Sequence, residues 1–303
     1  MARVARIDGE QLFGASRWAA LNARTDWRGI ALVLHAWVVI IAAITAAVLM
    51  PHPVVILLAV MVIGSRQLGL SILMHDAAHG LLLRNTTWND RVGQWLCAYP
   101  VGLDLRAYRA YHLKHHQFAQ QDEDPDLSLS APFPVTKASF ARKVARDLMG
   151  LTFLKLRVLP LLLAGIGRHK LRSADIALVG YNAVFATVAF ALDAGWVWLT
   201  LWLLPAATWH MLVVRLRNIA EHGGMTRDND PWRVARTTQA NWLSRAFIAP
   251  YYVNYHAEHH LFMWTPCYRL PVIHRALRER GLLDAHAMPV APGYSAVWQA
   301  VTR

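Results

Sequence analysis

Cysteine is scarce in this chain and acidic residues are few. Only two cysteines, Cys97 and Cys267, occur in 303 residues. They match no Cys-x-x-Cys spacing, which argues against a thiolate metal site, and both fall in segments read below as cytoplasmic, where a disulfide is not expected. Asp and Glu total 19 against 31 Lys and Arg, a formal net charge of +12. The charged N-terminus is followed by no short apolar run with a small-residue cleavage site, so a removable signal peptide is not expected either. No internal repeat or low-complexity stretch stands out.

What is abundant is apolar sequence. Hydrophobic residues make up 55% of the chain, with 13 Trp, a composition that points to a protein embedded in lipid. Residues 29–50 carry no charge, and as a helix they reach about 33 Å, enough for a hydrocarbon core. Residues 53–74 follow after Pro51, His52 and Pro53. A second pair, 175–192 and 196–217, is joined by Asp193, Ala194 and Gly195. Both joints are too short for a folded domain and contain no Lys or Arg, whereas residues 75–175 contain 14. The first 28 residues add Arg3, Arg6, Arg17, Arg24 and Arg28. Positive charge marks the cytoplasmic side. The expectation is therefore an all-α membrane protein, a single domain over 1–303, with four transmembrane helices in two hairpins. Both termini and a helical cap (1–28, 75–174 and 218–303) lie in the cytoplasm, and the setting suggested is a bacterial inner membrane.

The same reading accounts for the basic charge through anionic headgroups, so no nucleic-acid partner is expected. Phe140 to Arg157 alternates basic and apolar residues and reads as an interfacial helix, a possible dock for an acidic electron-transfer protein. Arg66 is costly in mid-bilayer, which predicts that its helix leaves the membrane there, the alternative being that Arg66 is buried and paired or lines a cavity; Arg215 and Arg217 mark the same boundary on the fourth span. Asp90 to Leu105, with Trp95, Tyr99 and Pro100, is too short to cross and is expected to rest in the interface. Residues 122–136 read as a proline-broken loop.

Nine histidines fall in four clusters: His75 and His79 in HDAAH, His112, His115 and His116 in HLKHH, His222 in NIAEHG, and His256, His259 and His260 in HAEHH. Residues three or four apart share a helix face, so each cluster aims two or three imidazoles at one point. Four spans bring all nine to one side. A structural zinc takes four ligands; nine imidazoles suit two metal ions with four or five each. Imidazole alone does not choose among iron, copper, zinc and nickel. The flanking acids Asp76, Glu221 and Glu258 are candidates to orient imidazoles through N–H bonds. His35, His52, His169, His274 and His286 lack this placement or spacing and are given structural or solvated roles. Asp122, Glu123, Asp124 and Asp126 read as a solvated turn.

The boxes HDAAH, HLKHH and HAEHH with NIAEH, in this order, and the NYHAEHHLF…PCYRLP context resemble the membrane fatty acid desaturase superfamily over roughly residues 30 to 275. That resemblance implies two iron ions, O2 as co-substrate and electrons from an external, ferredoxin-like donor. The nine histidines then correspond to iron ligands, and Asn218, four residues before His222, to a residue that holds iron through water. The chain contains neither the HPGG of a fused haem domain nor a cluster-binding cysteine pattern.

An unactivated methylene offers no acidic proton, so the C–H bond must yield to a metal-based oxidant. The reaction expected is desaturation of a long-chain fatty acyl membrane lipid. A di-iron hydroxylase or ketolase acting on a carotenoid, terpenoid or other lipid is the alternative enzyme, and a non-catalytic membrane metal-binding protein the alternative of another class. A groove among the spans is expected to admit a lipid tail, with Trp95, Trp209, His210 and Val214 as candidate lining. His210, Val214, Asn218 and His222 recur every fourth residue and form one stripe toward the metals.

Overall fold

A computed structural model describes residues 3–168 and 170–303; His169 lies outside them. The described chain is mostly helical, with one minimal parallel sheet pairing β1 (Thr237–Thr238) with β2 (Val290–Ala291). Four helical segments are long and apolar enough to cross a membrane: Ala15–Leu49, Pro53–Ala78, Ser173–Ala191 and Gly195–His222.

Local chemistry sets their ends. In the first segment, α1 (Asp26–Leu49) follows Thr25 in extended conformation and has Asp26 in its first turn, where a carboxylate complements the helix dipole. It stops before Pro51, which cannot continue the hydrogen-bond ladder. Pro53 then occupies the first turn of α2 (Pro53–Ala78), whose N-terminus is capped by His52 Nδ1 accepting from Val54 N–H at 3.3 Å. The two helices pack along each other. α1 turns Leu34, Val38 and Ile41 outward. By contrast, α2 is buried around its whole circumference from Ile63 to Leu70, with the polar Ser65, Arg66 and Gln67 bonded to backbone carbonyls of neighbouring segments. Small residues let neighbours approach it. A Cβ on Gly69 would fall 2.6 Å from the Tyr251 ring, and one on Gly64 3.0 Å from the backbone of His210.

The segment Asp90 to Leu105 does not form one regular helix. A helix over Thr86–Val92 passes into a wider-wound turn, Gly93–Ala98, and ends at Gly102 in the left-handed region. α3 (Leu105–Phe118) follows, capped by Asp104 accepting from Ala107 N–H at 2.9 Å. Phe140 to Arg157 is not one helix. α4 (Lys137–Leu148) breaks at Gly150, whose φ is 75°, and the chain turns by 75° into Leu151–Gly165. Glycine supplies the left-handed conformation that breaks the interfacial stripe there.

α5 (Ser173–Ala191) packs against the start of the last long segment, Gly195–His222. That segment is interrupted near Pro205 and Thr208 before continuing as α6 (Trp209–His222). Proline removes one ladder bond, a recurrent cause of such breaks. Three shorter helices complete the part needed for the site: α7 (Trp242–Phe247), α8 (His256–Leu261) and α9 (Leu270–Glu279).

The arginines expected near the membrane boundary are held by protein partners. Arg66 is buried, with Nη2 donating to Ala246 O at 2.6 Å and its guanidinium 5.4 Å from the Tyr251 ring. The C-terminal end of α7 folds onto α2 and offers the cation carbonyls and the negative end of a short helix, so the buried guanidinium is satisfied within the protein. Arg215 is joined to Asp147, which is completely buried, through Nη2 to Oδ1 at 2.9 Å and a second bond from Nε. It thus ties α6 to α4. Arg217 pairs with Glu221 at 2.9 Å.

Candidate metal centre

Each histidine box ends on a helix whose packing fixes its direction. His75 and His79 terminate α2; His112, His115 and His116 lie on the last two turns of α3; His222 is the last residue of α6. Box HAEHH begins α8 after Tyr251 and Tyr252, both at positive φ (54° and 63°). Bulky residues adopt that conformation at a cost. Tyr251 is held in it by packing against Gly69 and a 3.0 Å hydrogen bond to His35 Nδ1.

All nine imidazoles are buried or nearly so and sort into two groups. His75, His79, His112, His116 and His259 bring one nitrogen each within 4.8 Å of one another; His115, His222, His256 and His260 do the same. Box HLKHH therefore serves both groups, as does HAEHH. Within the first group His116 Nε2 lies 2.9 Å from both His112 Nε2 and His259 Nε2. Within the second, His222 Nε2 lies 2.9 Å from His256 Nε2 and 3.2 Å from His115 Nε2, and His256 Nε2 is 3.1 Å from His260 Nε2. With metal–nitrogen bonds of about 2.1 Å, adjacent ligands at right angles would stand about 3.0 Å apart, and these spacings match that distance. Burial without a partner supports the same reading. Neither ring nitrogen of His79 has a hydrogen bond, nor does His75 Nε2, an arrangement that costs free energy unless a cation occupies the centre.

The outer nitrogens of several rings are anchored. His115 Nδ1 meets Asp124 Oδ1 at 2.8 Å, and His222 Nδ1 meets Val234 O at 3.1 Å. His112 Nδ1 is 3.4 Å from the Tyr108 hydroxyl. A proton held at Nδ1 leaves the Nε2 lone pair facing inward, as a metal ligand requires. Burial, followed by the neighbouring imidazoles, pushes His112, His116, His256, His259 and His260 well below the ordinary histidine range; burial with His75 and Arg109 does so for His79. Neutral rings are the donor form.

The candidate orienting acids differ in what they touch. Asp76 accepts the Cys267 N–H at 3.0 Å and stands 3.6 Å from His75 Nδ1. Glu221 lies 3.5 Å from His256 Nδ1. Glu258 faces away from both groups: it binds His274 Nδ1 and the Thr237 hydroxyl. His274 is thereby a buried structural partner of the last box. The acid that sequence reading missed is Asp124. Far from belonging to a solvated turn, it is buried and also accepts N–H bonds from Gln120 at 2.9 Å and Asp126 at 2.8 Å. Burial works to raise its carboxyl, but His115 and those amides hold it below its ordinary value. Its signal was position, eight residues after His116 in a turn rich in polar residues that could fold back. Asp122 and Glu123 are exposed.

Asn218 is half-buried on α6, one turn before His222. Among the proposed substrate contacts, Trp95 is 57% exposed, and its backbone oxygen accepts from Tyr181. Trp209 donates to Ser65 Oγ at 2.9 Å, packing α6 on α2. Val214 is exposed. His210 is buried beside a cavity of about 20 Å³, room for roughly one water.

The model of the fatty acid desaturase family matches residues 51–293. The chain belongs to that family. A dihydrorhizobitoxine desaturase of Bradyrhizobium elkanii is 29% identical over 80% of this chain and 72% of its own length. A zeaxanthin 4-ketolase of Chlamydomonas reinhardtii is 28% identical over 71% of the chain but only 43% of its own length. A beta-carotene ketolase of Paracoccus sp. (strain PC1) is 25% identical over 79% and 86%. Desaturase family membership accounts for the order of the boxes; the paired nitrogen groups show what that order achieves in space.

Proposed function

We propose that the chain is an oxygen-dependent di-iron desaturase that introduces a double bond into a long-chain fatty acyl substrate. The observation that carries this reading is the division of nine buried imidazoles into a group of five and a group of four, with their Nε2 atoms at ligand-edge spacing. His75, His79, His112, His116 and His259 hold one iron. His115, His222, His256 and His260 hold the other, with Asn218 contributing through a water on the side of α6. Bound there, iron supplies the oxidising power that side chains lack against a C–H bond. In the balanced reaction a CH2–CH2 unit loses two hydrogens, an external ferredoxin-like donor supplies two electrons, and with two protons O2 becomes two waters.

The remaining work belongs to the protein. Asp124 and the Val234 carbonyl keep His115 and His222 in the tautomer that faces inward; Asp76 and Glu221 lie on the outer side of His75 and His256 in the same sense. Trp264, edge-on to His79 at 5.7 Å, covers the first group. Orientation follows from charge: the four spans lie in a bacterial inner membrane, with both termini and the metal centre in a cytoplasmic cap.

Expression with lipid profiling tests the reaction. Loss of two hydrogens from acyl chains, abolished in His222→Ala, is expected. The second reading, a ketolase on a carotenoid, is favoured by two of the relatives; gain of carbonyl oxygen on a carotenoid with unchanged acyl chains would replace the desaturase assignment with it.

A further inference from the structure

A large cavity beside the metal centre has a charged lining. It encloses about 1020 Å³ between residues 3–7, α3 and the stretch that follows α8, at the upper end of what small-molecule sites occupy. His116 and His260 both line it. They belong to different nitrogen groups, and their rings are 4.3 Å apart, so the cavity reaches the seam between the two proposed metals. Phe262 and Met263 are buried and give its wall apolar surface.

Its rim is cationic. Arg3, Arg6 and Lys114 line the cavity and are exposed, and no carboxylate lines it among the described residues. None of the three has a carboxylate partner among the described residues. Lys114 and His116 lie on α3 and both line the cavity. The N-terminal segment is fastened there: Val4 N–H donates to Gln117 O at 3.0 Å, Val4 packs against Ala119 and Val234, and the Gln117 amide oxygen, turned toward Arg3, accepts from its two Nη atoms at 3.1 Å.

We propose that this cavity is the substrate site, that residues 3–7 form a strap over it, and that Arg3, Arg6 and Lys114 select a substrate bearing an anionic head group. The head is a carboxylate or phosphate oxygen donor, held at the rim while the apolar part passes Phe262 and Met263 toward His116 and His260. Cations without a carboxylate partner beside a low-dielectric wall attract such a group strongly. The inference rests on the proposed oxidase reading for what happens at the seam, but recognition of the head group does not need turnover. A neutral carotenoid gains nothing from this rim.

The test is binding to purified, iron-loaded protein in neutral detergent without reductant, read by quenching of cavity tryptophans Trp18 and Trp264. The probes are palmitate, palmitoyl-CoA and hexadecanol. At least one anionic probe is expected to bind tenfold or more tighter than hexadecanol, and to lose that advantage in Arg6→Ala/Lys114→Ala. Palmitate identifies a carboxylate head; palmitoyl-CoA alone identifies phosphate. These exposed substitutions leave the core intact, which circular dichroism checks. Hexadecanol binding as tightly as both anions, or an advantage unchanged in the double variant, would overturn the proposal. Charge-selective binding with no unsaturated product would leave the head-group site standing and sink the desaturase reading instead.

Discussion

His115 Nδ1 and Asp124 Oδ1 lie 2.8 Å apart, both buried, so a turn nine residues downstream anchors an imidazole of the second group. Removing such an anchor frees the ring to rotate and its proton to move to the inward nitrogen. Asp124→Ala should therefore weaken metal affinity by about 10–100-fold, with Asp124→Asn milder because an acceptor oxygen remains. Chelator competition measures this. Unchanged affinity in Asp124→Ala would show that His115 is oriented by other means.

The buried pair Asp147–Arg215 joins α4 to α6. Deleting the carboxylate strands a guanidinium that is mostly shielded from water, and Asp147→Ala should cost about 3–5 kcal/mol. Replacing both partners by apolar residues should cost far less. A double-mutant cycle by thermal unfolding in detergent distinguishes them; additive losses would mean that the pair does not interact energetically.

Gly29 allows α1 to touch the chain just beyond HDAAH. A Cβ there would stand 1.9 Å from the Leu82 carbonyl oxygen. Since backbone cannot yield as a side chain does, Gly29→Ala should destabilise the fold by about 1–3 kcal/mol. A melting temperature equal to that of the native protein would contradict this packing.

Much of this arrangement was legible in the sequence. The spans, their short turns and all nine imidazoles follow from hydropathy and i, i+3/i+4 spacing. The partition into five and four does not, because spacing shows which residues share a helix face but not which faces meet. The partner of Arg66 was hidden for a related reason: α7, distant in sequence, supplies the carbonyl that receives it. Asp124 was hidden in a run of acids that composition assigns to solvent, and Glu258 sits inside a box yet faces His274.

For the metal-free protein, acid should be destabilising. His79, His112, His116, His256, His259 and His260 are held below their ordinary value in the fold, while the unfolded chain protonates them near pH 6.5. The unfolded state therefore binds more protons below that point, and stability falls as pH drops through about 6.5. Above about pH 7.5 these groups are neutral in both states and contribute no slope. Thermal unfolding across this range checks the sign; stability rising on acidification would show that the cluster carries protons in the fold.

Iron content tests the central claim most directly. Freshly purified protein should carry about two iron ions per chain, four or five imidazoles to each, and His222→Ala, which breaks only the group of four, should retain about one while staying folded. A single metal ion shared by all nine histidines, or stoichiometric zinc in protein never exposed to excess zinc and inactive after iron loading, would contradict the account.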